Sequence, residues 1–336
     1  MNLHPLLRAA LTTLILSGAG QAYGKPVLTV YTHPSFAAEW GPGPAIREAF
    51  EDRCGCEVQF TILDSGGAIL QRLRLEGPGS NADLVLGLDT STMETARETG
   101  LLAEHQAALP ELALPVAWQD PVFVPYDWGY FAFVYDTEQI DNPPTSLEAL
   151  VNAPDELKII IQDPRTSTPG LGLLLWMKHV FGDQADERWQ QLQGKVLTTT
   201  QSWSDGYFSL FMNGEAPMIL SYSTSPAYHM AVDKTDRYQA IPFEEGHYLQ
   251  VEVAAVVESS DQKALARSFL EFMLTPDFQR HIPLKNVMYP AIDLGDELPE
   301  VFDRLIEPTR ALMFSPETLR ANRQAWTNEW LDAMTR

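Results

Sequence analysis

The chain is poor in cysteine, poor in positive charge and, past its first residues, free of long apolar runs. Only Cys54 and Cys56 carry thiols among 336 residues, too few for a multi-disulfide scaffold or a four-cysteine zinc site. Lys and Arg number 23 against 45 Asp and Glu, a formal net charge of −22, and the basic residues never gather into a run. A field of that sign repels polyphosphate, so nucleic acid and anionic membranes are set aside as partners. No segment of the body approaches the roughly 18 consecutive apolar residues of a membrane span. Missing too are the serine-nucleophile elbow G-x-S-x-G, the zinc motif H-E-x-x-H, the phosphate loop G-x-x-x-x-G-K-[ST] and a dinucleotide G-x-G-x-x-G after a strand. The 7 histidines are scattered, with none paired at i, i+4. Asp64 and Asp83 offer carboxylates, but nothing in their spacing pairs them for acid–base work. The chain therefore reads as a non-enzyme with no cofactor.

What is present begins with Arg8, an apolar stretch from Ala9 to Leu16, and the small-x-small end Ala22-Tyr23-Gly24 before Lys25. This order predicts a secretory signal peptide over residues 1–24 and an exported, mature chain from Lys25. In an oxidising compartment Cys54 and Cys56 can close as a local Cys-Gly-Cys staple, although so small a ring strains the bond; half a metal site is the alternative.

With 45% hydrophobic and 20% charged residues, the body has the composition of a globular protein of about two domains. Short apolar runs at 26–31, 57–63 and 83–89 read as strands and alternate with helical patterns that start near Pro44, Gly67 and Thr92. Residues 110–127 read as Pro-rich and irregular, and 129–135 as a long strand. A second unit follows, with strands at 157–162 and 216–222 and helices at 171–181, 183–192 and 204–213. An extended run at 248–257 and a helical tail carrying Leu265, Phe269, Phe272 and Met273 close the chain. Alternation of this kind predicts parallel α/β sheets. We read two lobes, one of residues 25–128 with 240–336 and one of 129–239.

Three strand ends look like ligand-binding edges. Ser167, Thr168 and Pro169 stand at a helix mouth, where free N–H groups and the positive dipole end suit an anion such as phosphate; an ordinary N-cap has the same pattern. Ser65-Gly66-Gly67 repeats the arrangement in the first lobe. In the third, Ser223, Thr224 and Ser225 lie between Tyr222 and Tyr228, which also fits a plain polar loop. Open α/β sheets take ligands outside the carboxyl ends of their strands, so these edges share a cleft if the lobes face each other. Trp40 and Trp203 stand at such edges too, where aromatic faces stack flat rings and attract cations. Trp176 and Trp189 fall on helical faces and read as core.

Several segments carry a resemblance over essentially the whole mature chain: Lys25-Pro-Val-Leu-Thr-Val-Tyr-Thr32, Ser35-Phe-Ala-Ala-x-Trp40-Gly-Pro-Gly-Pro44, Gly129-Tyr-Phe-Ala-Phe-Val-Tyr-Asp136, Gln162-Asp-Pro-Arg-Thr-Ser-Thr-Pro-Gly170, Ser221-Tyr-Ser-Thr-Ser-Pro-Ala-Tyr-His229 and Glu245-Gly-His-Tyr-Leu-Gln-Val-Glu-Val-Ala-Ala255. In these the chain resembles the periplasmic thiamine-binding proteins, solute-binding components of ABC uptake systems. The resemblance implies an α/β, two-lobed periplasmic binding protein fold, type II-like, with the ligand cleft between the lobes. It implies capture of thiamine, thiamine monophosphate or thiamine diphosphate and delivery to an ABC permease with its ATPase, by a monomer.

Carried over residue by residue, Gly66, Ser167, Thr168, Trp203 and Tyr222 through Ser225 match ligand-contacting positions, with Trp40 and Tyr228 as aromatic walls. The chain departs from the pattern in three places. His33 stands where the resemblance leads one to expect Tyr, Val287 where it leads one to expect Trp, and Ser65, beside Asp64, where it leads one to expect an acid. Losing two aromatic walls weakens the expected grip on a thiazolium by about 1–2 kcal/mol. The rival cargoes are a polyamine or a ferric ion, against which the isolation of Tyr222 and Tyr228 counts for iron. A secreted thiamine-degrading enzyme with a Cys nucleophile is the remaining alternative.

Overall fold

β-branched and apolar runs become strands and the periodic segments between them become helices, in a computed structural model that describes residues 24–335. Apart from Gly24, the expected signal peptide at residues 1–24 lies outside the described residues. From β1 (Val27–Thr32) the chain passes through α1 (Pro34–Ala37) and α2 (Gly43–Cys54) to β2 (Glu57–Ile62). It continues through α3 (Gly66–Glu76) to β3 (Leu84–Asp89), α4 (Met93–Arg97) and β4 (Leu102–Ala103). The long β5 (Val124–Asp136) leads to α5 (Leu147–Val151), β6 (Ile159–Gln162), α6 (Thr168–Phe181), α7 (Ala185–Gln193), β7 (Val196–Thr200), β8 (Met218–Tyr222), α8 (Ser225–Tyr228) and β9 (Tyr238–Ala240). The return runs through β10 (His247–Val257), α9 (Lys263–Met273), α10 (Pro276–Gln279), α11 (Ile282–Lys285), β11 (Tyr289–Pro290) and β12 (Ala311–Leu312) to α12 (Pro316–Thr335).

The strands order as β2-β1-β3-β10-β5-β8-β6-β7. β1 runs parallel to β2 and β3, and β6 parallel to β7 and β8, as crossover helices require. β5 serves both lobes: its residues 124–130 pair antiparallel with β10, and residues 131–135 with β8. It starts earlier than the sequence reading placed it, inside the Pro-rich stretch. Pro125 has no N–H to give, and the register slips there, between Glu252 and Val253 of β10, so Tyr126 is an extra residue in a bulge.

Leu28, Val30, Phe50 and Phe269 pack on one face of the first sheet, and Ile69, Leu73, Val85 and Leu88 on the other. Phe133, Ile161, Leu174 and Trp176 form the core of the second lobe, joined by Trp189 and by Leu319 and Trp330 of α12. Trp176 and Trp189 are core, as read. α2 stops at Gly55, in the left-handed conformation at φ 62°, and this turn carries the Cys54–Cys56 disulfide, so the pair is the expected local staple. The helix expected at 204–213 is instead a π-helical turn, Asp205–Leu210, followed by a 3-10 turn to Asn213. A second π-helical turn covers His229–Asp233. Among the described residues no helix is long and apolar enough to cross a membrane.

Candidate functional site

The carboxyl ends of the strands gather polar groups that the cores exclude. After β1, His33 caps α1, its Nδ1 accepting from the Phe36 N–H at 3.3 Å and the Ser35 hydroxyl at 2.7 Å. That leaves the hydrogen of a neutral ring on Nε2, which faces Tyr126 Oη at 3.4 Å and Glu252 Oε1 at 3.8 Å. The ring fits only because position 87 is glycine: at φ 109° it has the wrong backbone for other residues, and a Cβ there would overlap His33.

Glu252 and Asp127 face each other across β10 and β5. Glu252 accepts from Tyr126 Oη at 2.7 Å and from Gln250 Nε2 at 3.1 Å, while Asp127 accepts from Asn286 Nδ2 at 2.5 Å. Burial and the charge of Glu252 push the Asp127 carboxyl well above the usual range. Burial also pushes Glu252 up, but His33 and the hydrogen bonds, Tyr126 among them, outweigh it and hold this carboxyl below its ordinary value. The two carboxyls are thus driven apart, Asp127 toward its neutral form and Glu252 toward its charged form. Asp89, at the end of β3, is raised by burial against the pull of the Ser91 hydroxyl and Arg323.

Tyr222, at the end of β8 in the second lobe, faces these acids of the first. Burial, then Glu252, Asp89 and Asp127, push its phenol well above the usual value. A cavity of about 10 Å³, room for one water, lies between Asp89, Ser91 and Gln250 on one side and Thr168, Phe131 and Gly172 on the other. Gln250 Oε1, on a residue of the cavity wall, is buried with no hydrogen-bond partner. At the cleft mouth Trp40 meets Phe208 edge-on at 6.5 Å, and Phe208 meets Trp203 at 5.4 Å, so one aromatic row crosses from lobe to lobe. Trp203 stacks on Tyr207 at 4.9 Å and donates from Nε1 to Ser221 Oγ at 2.8 Å.

A cleft between two α/β lobes, floored by a bridging pair of strands, is the architecture of a shuttle for small solutes. The family model described as "Bacterial extracellular solute-binding protein" matches residues 79–322. The chain belongs to that family. It is 51% identical over 323 residues to the thiamine-binding periplasmic protein of Salmonella typhimurium, covering 96% of this chain and 98% of that protein. It is 50% identical over 331 residues to the protein of the same name in Escherichia coli, covering 98% and 100%. A solved structure titled periplasmic thiamin binding protein superposes with a TM-score of 0.90 at 51% identity, over 93% of this chain and 97% of that one. Iron-bound HitA from Pseudomonas aeruginosa, at 20% identity and a TM-score of 0.74 over 92% of this chain and 99% of that one, shares the two-lobed fold.

In this solute-binding protein the residues singled out from sequence fall into three groups. Trp40 and Trp203 join through Phe208, His33 lies against Glu252 with the acids also felt by the Tyr222 phenol, and Thr168 reaches the small cavity beside Asp89. Ser65 and Gly66 serve local structure: Ser65 Oγ accepts from the Ala68 N–H at 3.2 Å, and Gly66 sits where a Cβ would lie 2.5 Å from Gly87 O. Ser167 stands at the start of α6 without making a side-chain cap. Ser223 donates its N–H to Tyr130 O at 2.8 Å, Thr224 Oγ1 lies 3.9 Å from Met288 Sδ, and Ser225 Oγ is 2.8 Å from Ser221 Oγ. Asp64 is exposed on its loop, and Tyr228 leans edge-on to His229 at 5.7 Å, away from the acids.

Sequence reading missed Asp89, Tyr126, Asp127, Gln250, Glu252 and Asn286. One signal for them existed: Gln250 and Glu252 are polar residues two apart in an apolar run, so they share one face of a strand. Val287 is also unusual in conformation. Its φ of 55° is left-handed, which a β-branched residue rarely adopts, and its neighbours hold it there, Asn286 bonded to Asp127 and Met288 packed against Gly129 and Thr224.

Proposed function

We propose that this solute-binding protein works in the periplasm, captures thiamine between its lobes and delivers it to an ABC permease with its ATPase. The observation that carries the reading is the combination of the buried Asp127–Glu252 pair with the Trp40–Phe208–Trp203 row of rings that crosses between the lobes. A flat cation satisfies both halves of that arrangement, since the rings stack it and the negative charge favoured on Glu252 offsets it. The names of relatives about half identical over their full length support the same cargo. A ligand touching both lobes favours the closed state over the open one, and the closed surface is what a permease reads. β5 and β10, which cross between the lobes, are the segments that bend.

The residues proposed to line the cleft are His33, Trp40, Ser167, Thr168, Trp203 and Tyr222 through Ser225, with Ser65 and Gly66 at the opposite helix mouth and Asp64 and Tyr228 at the rim. The helix mouths of α3 and α6 are the places for the phosphate of a monophosphate or diphosphate ester. The lobes divide near residues 129 and 240, the leader is removed near Lys25, and the protein acts as a monomer. A degradative role through cysteine has no free thiol to use, because Cys54 and Cys56 are bonded to each other.

The test is calorimetric titration of mature protein, stripped of ligand by unfolding and refolding, with thiamine and its two esters. Sub-micromolar binding of thiamine, lost by about tenfold or more in Trp203→Ala, is expected. No binding of any of the three overturns the reading, as does turnover of thiamine on prolonged incubation.

A further inference from the structure

At the mouth of the cleft stands a phenylalanine that the core does not need. Phe208 is left 47% exposed, and Trp40, the ring it meets from the other lobe, is 51% exposed. Phe208 lies 5.6 Å from Tyr207 and 5.4 Å from Trp203 on its own lobe, and 6.5 Å from Trp40 across the mouth. The planes meet at 69° to 80°, the edge-on geometry in which aromatic pairs attract. Local structure holds both rings at the mouth. Tyr207 and Phe211, packed on each other at 5.4 Å, bury themselves in the second lobe and pin the π-helical turn Asp205–Leu210, so Phe208, directly after Tyr207, stays outside that core. Such wide turns are frequent at functional sites. Trp40 sits in a tight turn closed by the Gly41 N–H, which donates to Ala38 O at 2.9 Å.

The Trp40 contact differs in kind from the other two. Those to Trp203 and Tyr207 lie within one lobe and survive any movement between the lobes, whereas the contact to Trp40 is lost when the cleft opens. A single half-exposed aromatic is ordinary, but here two meet from opposite lobes, and each covers the other only while the mouth is shut. Met288 and Thr224 also meet across the lobes, yet they do so beside Gly129 at the β5 crossover, where a hinge moves least. The Phe208–Trp40 pair therefore stabilises the closed state and leaves the open one untouched. A solute that binds by closing the lobes gains in affinity by the amount that closure is favoured.

We propose that Phe208 is a positioning residue for solute retention: its ring latches the cleft mouth shut against Trp40. The inference rests on the thiamine reading of the cleft, with Trp40 and Trp203 as its walls. Phe208 acts through Trp40 and not by touching the solute.

The experiment titrates thiamine calorimetrically against the full mature protein and against Trp203→Ala, Phe208→Ala, Phe208→Tyr, Trp40→Ala and the double variant Trp40→Ala/Phe208→Ala, with a thermal melt of each. Phe208→Ala binds about twofold to tenfold more weakly, the worth of one edge-on aromatic pair. Phe208→Tyr keeps the ring and recovers most of that loss. In the Trp40→Ala background the change Phe208→Ala costs no further affinity, because the ring it latches onto is already gone. An equal loss with and without Trp40 means that Phe208 acts on the solute or on its own lobe, and overturns the latch. If Trp203→Ala weakens binding but Phe208→Ala does not, the latch is overturned while the thiamine site stands. If the unaltered protein binds thiamine and Trp203→Ala binds it equally well, the walls are misplaced, and the proposed site fails together with the latch; no binding at all removes the thiamine reading and the latch with it. Should Phe208→Ala fail to fold, Phe208→Leu, which keeps apolar bulk without a ring, takes its place in the same cycle.

Discussion

The acid pair under the cleft makes an asymmetric prediction. Asp127 and Glu252 are cross-strand partners, yet their surroundings differ: Glu252 faces His33, Tyr126 and Gln250, all donors, while Asp127 has the Glu252 charge and Asn286, which donates to it at 2.5 Å and to Glu252 only at 3.4 Å. If Asp127 holds the proton, Asp127→Asn reproduces its hydrogen-bond pattern, an amide N–H toward Glu252 and an oxygen toward Asn286, and costs at most about 0.5 kcal/mol near pH 7. Glu252→Gln removes the charge that the donors were placed to meet. A hydrogen bond to a charged group stabilises by about 1.5–3 kcal/mol and a neutral one by 0.5–1.5, so two weakened bonds and an amide N–H aimed at other donors cost about 2–4 kcal/mol. For a protein of this size that lowers Tm by roughly 3–6 °C. The pH dependence has a definite sign. The Asp127 carboxyl is raised in the folded state, so its contribution is full below the unfolded pKa and is lost as pH rises through the folded one. Asp127→Asn does not titrate, and its stability relative to the parent therefore improves as pH rises. Melts of the three proteins across a pH series, with thiamine titrations beside them, are the assay. Equal losses in the two variants, or a relative stability of Asp127→Asn that falls with pH, would refute the neutral form of Asp127.

Gly87→Ala places a Cβ into His33 at a backbone angle suited only to glycine; a conformational cost of about 1–2 kcal/mol and overpacking of about 1–3 kcal/mol lower Tm, and thiamine affinity falls because His33 leaves Glu252. An unchanged melt would show that the ring has another place to go. Asp136, buried under Arg237, is pushed up by burial but held below its ordinary value by Arg237, Gln139 and the Glu138 N–H. Its stabilisation is present above the unfolded carboxylate pKa and is lost as pH falls through the folded one, so Asp136→Asn flattens the acid limb of a stability curve below about pH 4. Arg237→Ala, whose side chain is 36% exposed, costs about 2–3 kcal/mol, less than the loss on breaking a wholly buried pair; chemical denaturation measures both.

Alternation of strand and helix was legible because apolar runs of four to six residues, bounded by Gly and Pro, have few other uses in a globular chain. The aromatic edges were legible for a similar reason, since Trp40 and Trp203 lie just past strands and off any apolar helical face. The acid cluster was not, and the cause is register. Asp127 meets Glu252 only because β5 and β10 pair antiparallel with one residue extra at Tyr126, and that bulge is produced by Pro125, the residue that made the stretch look irregular. Asp89 and Asn286 join from two further points of the chain, and no local pattern links four such segments. The same holds behind Trp203, where Tyr207 and His229 each look like ordinary residues of an amphipathic stretch until two π-helical turns bring them to 2.9 Å.

His33 and Val287 show where local chemistry and the pattern implied by resemblance part. An aromatic wall grips a cation through its face alone, whereas His33 faces Glu252 at 3.8 Å and favours that carboxyl's charged form. Val287 supplies little surface for stacking, yet it holds a strained left-handed turn between Asn286, bonded to Asp127, and Met288, packed against Thr224. Under the proposed function, what the chain gives up in stacking at these positions it retains as the negative charge favoured on Glu252, and for a flat cation in a desolvated cleft that charge is the larger of the two terms.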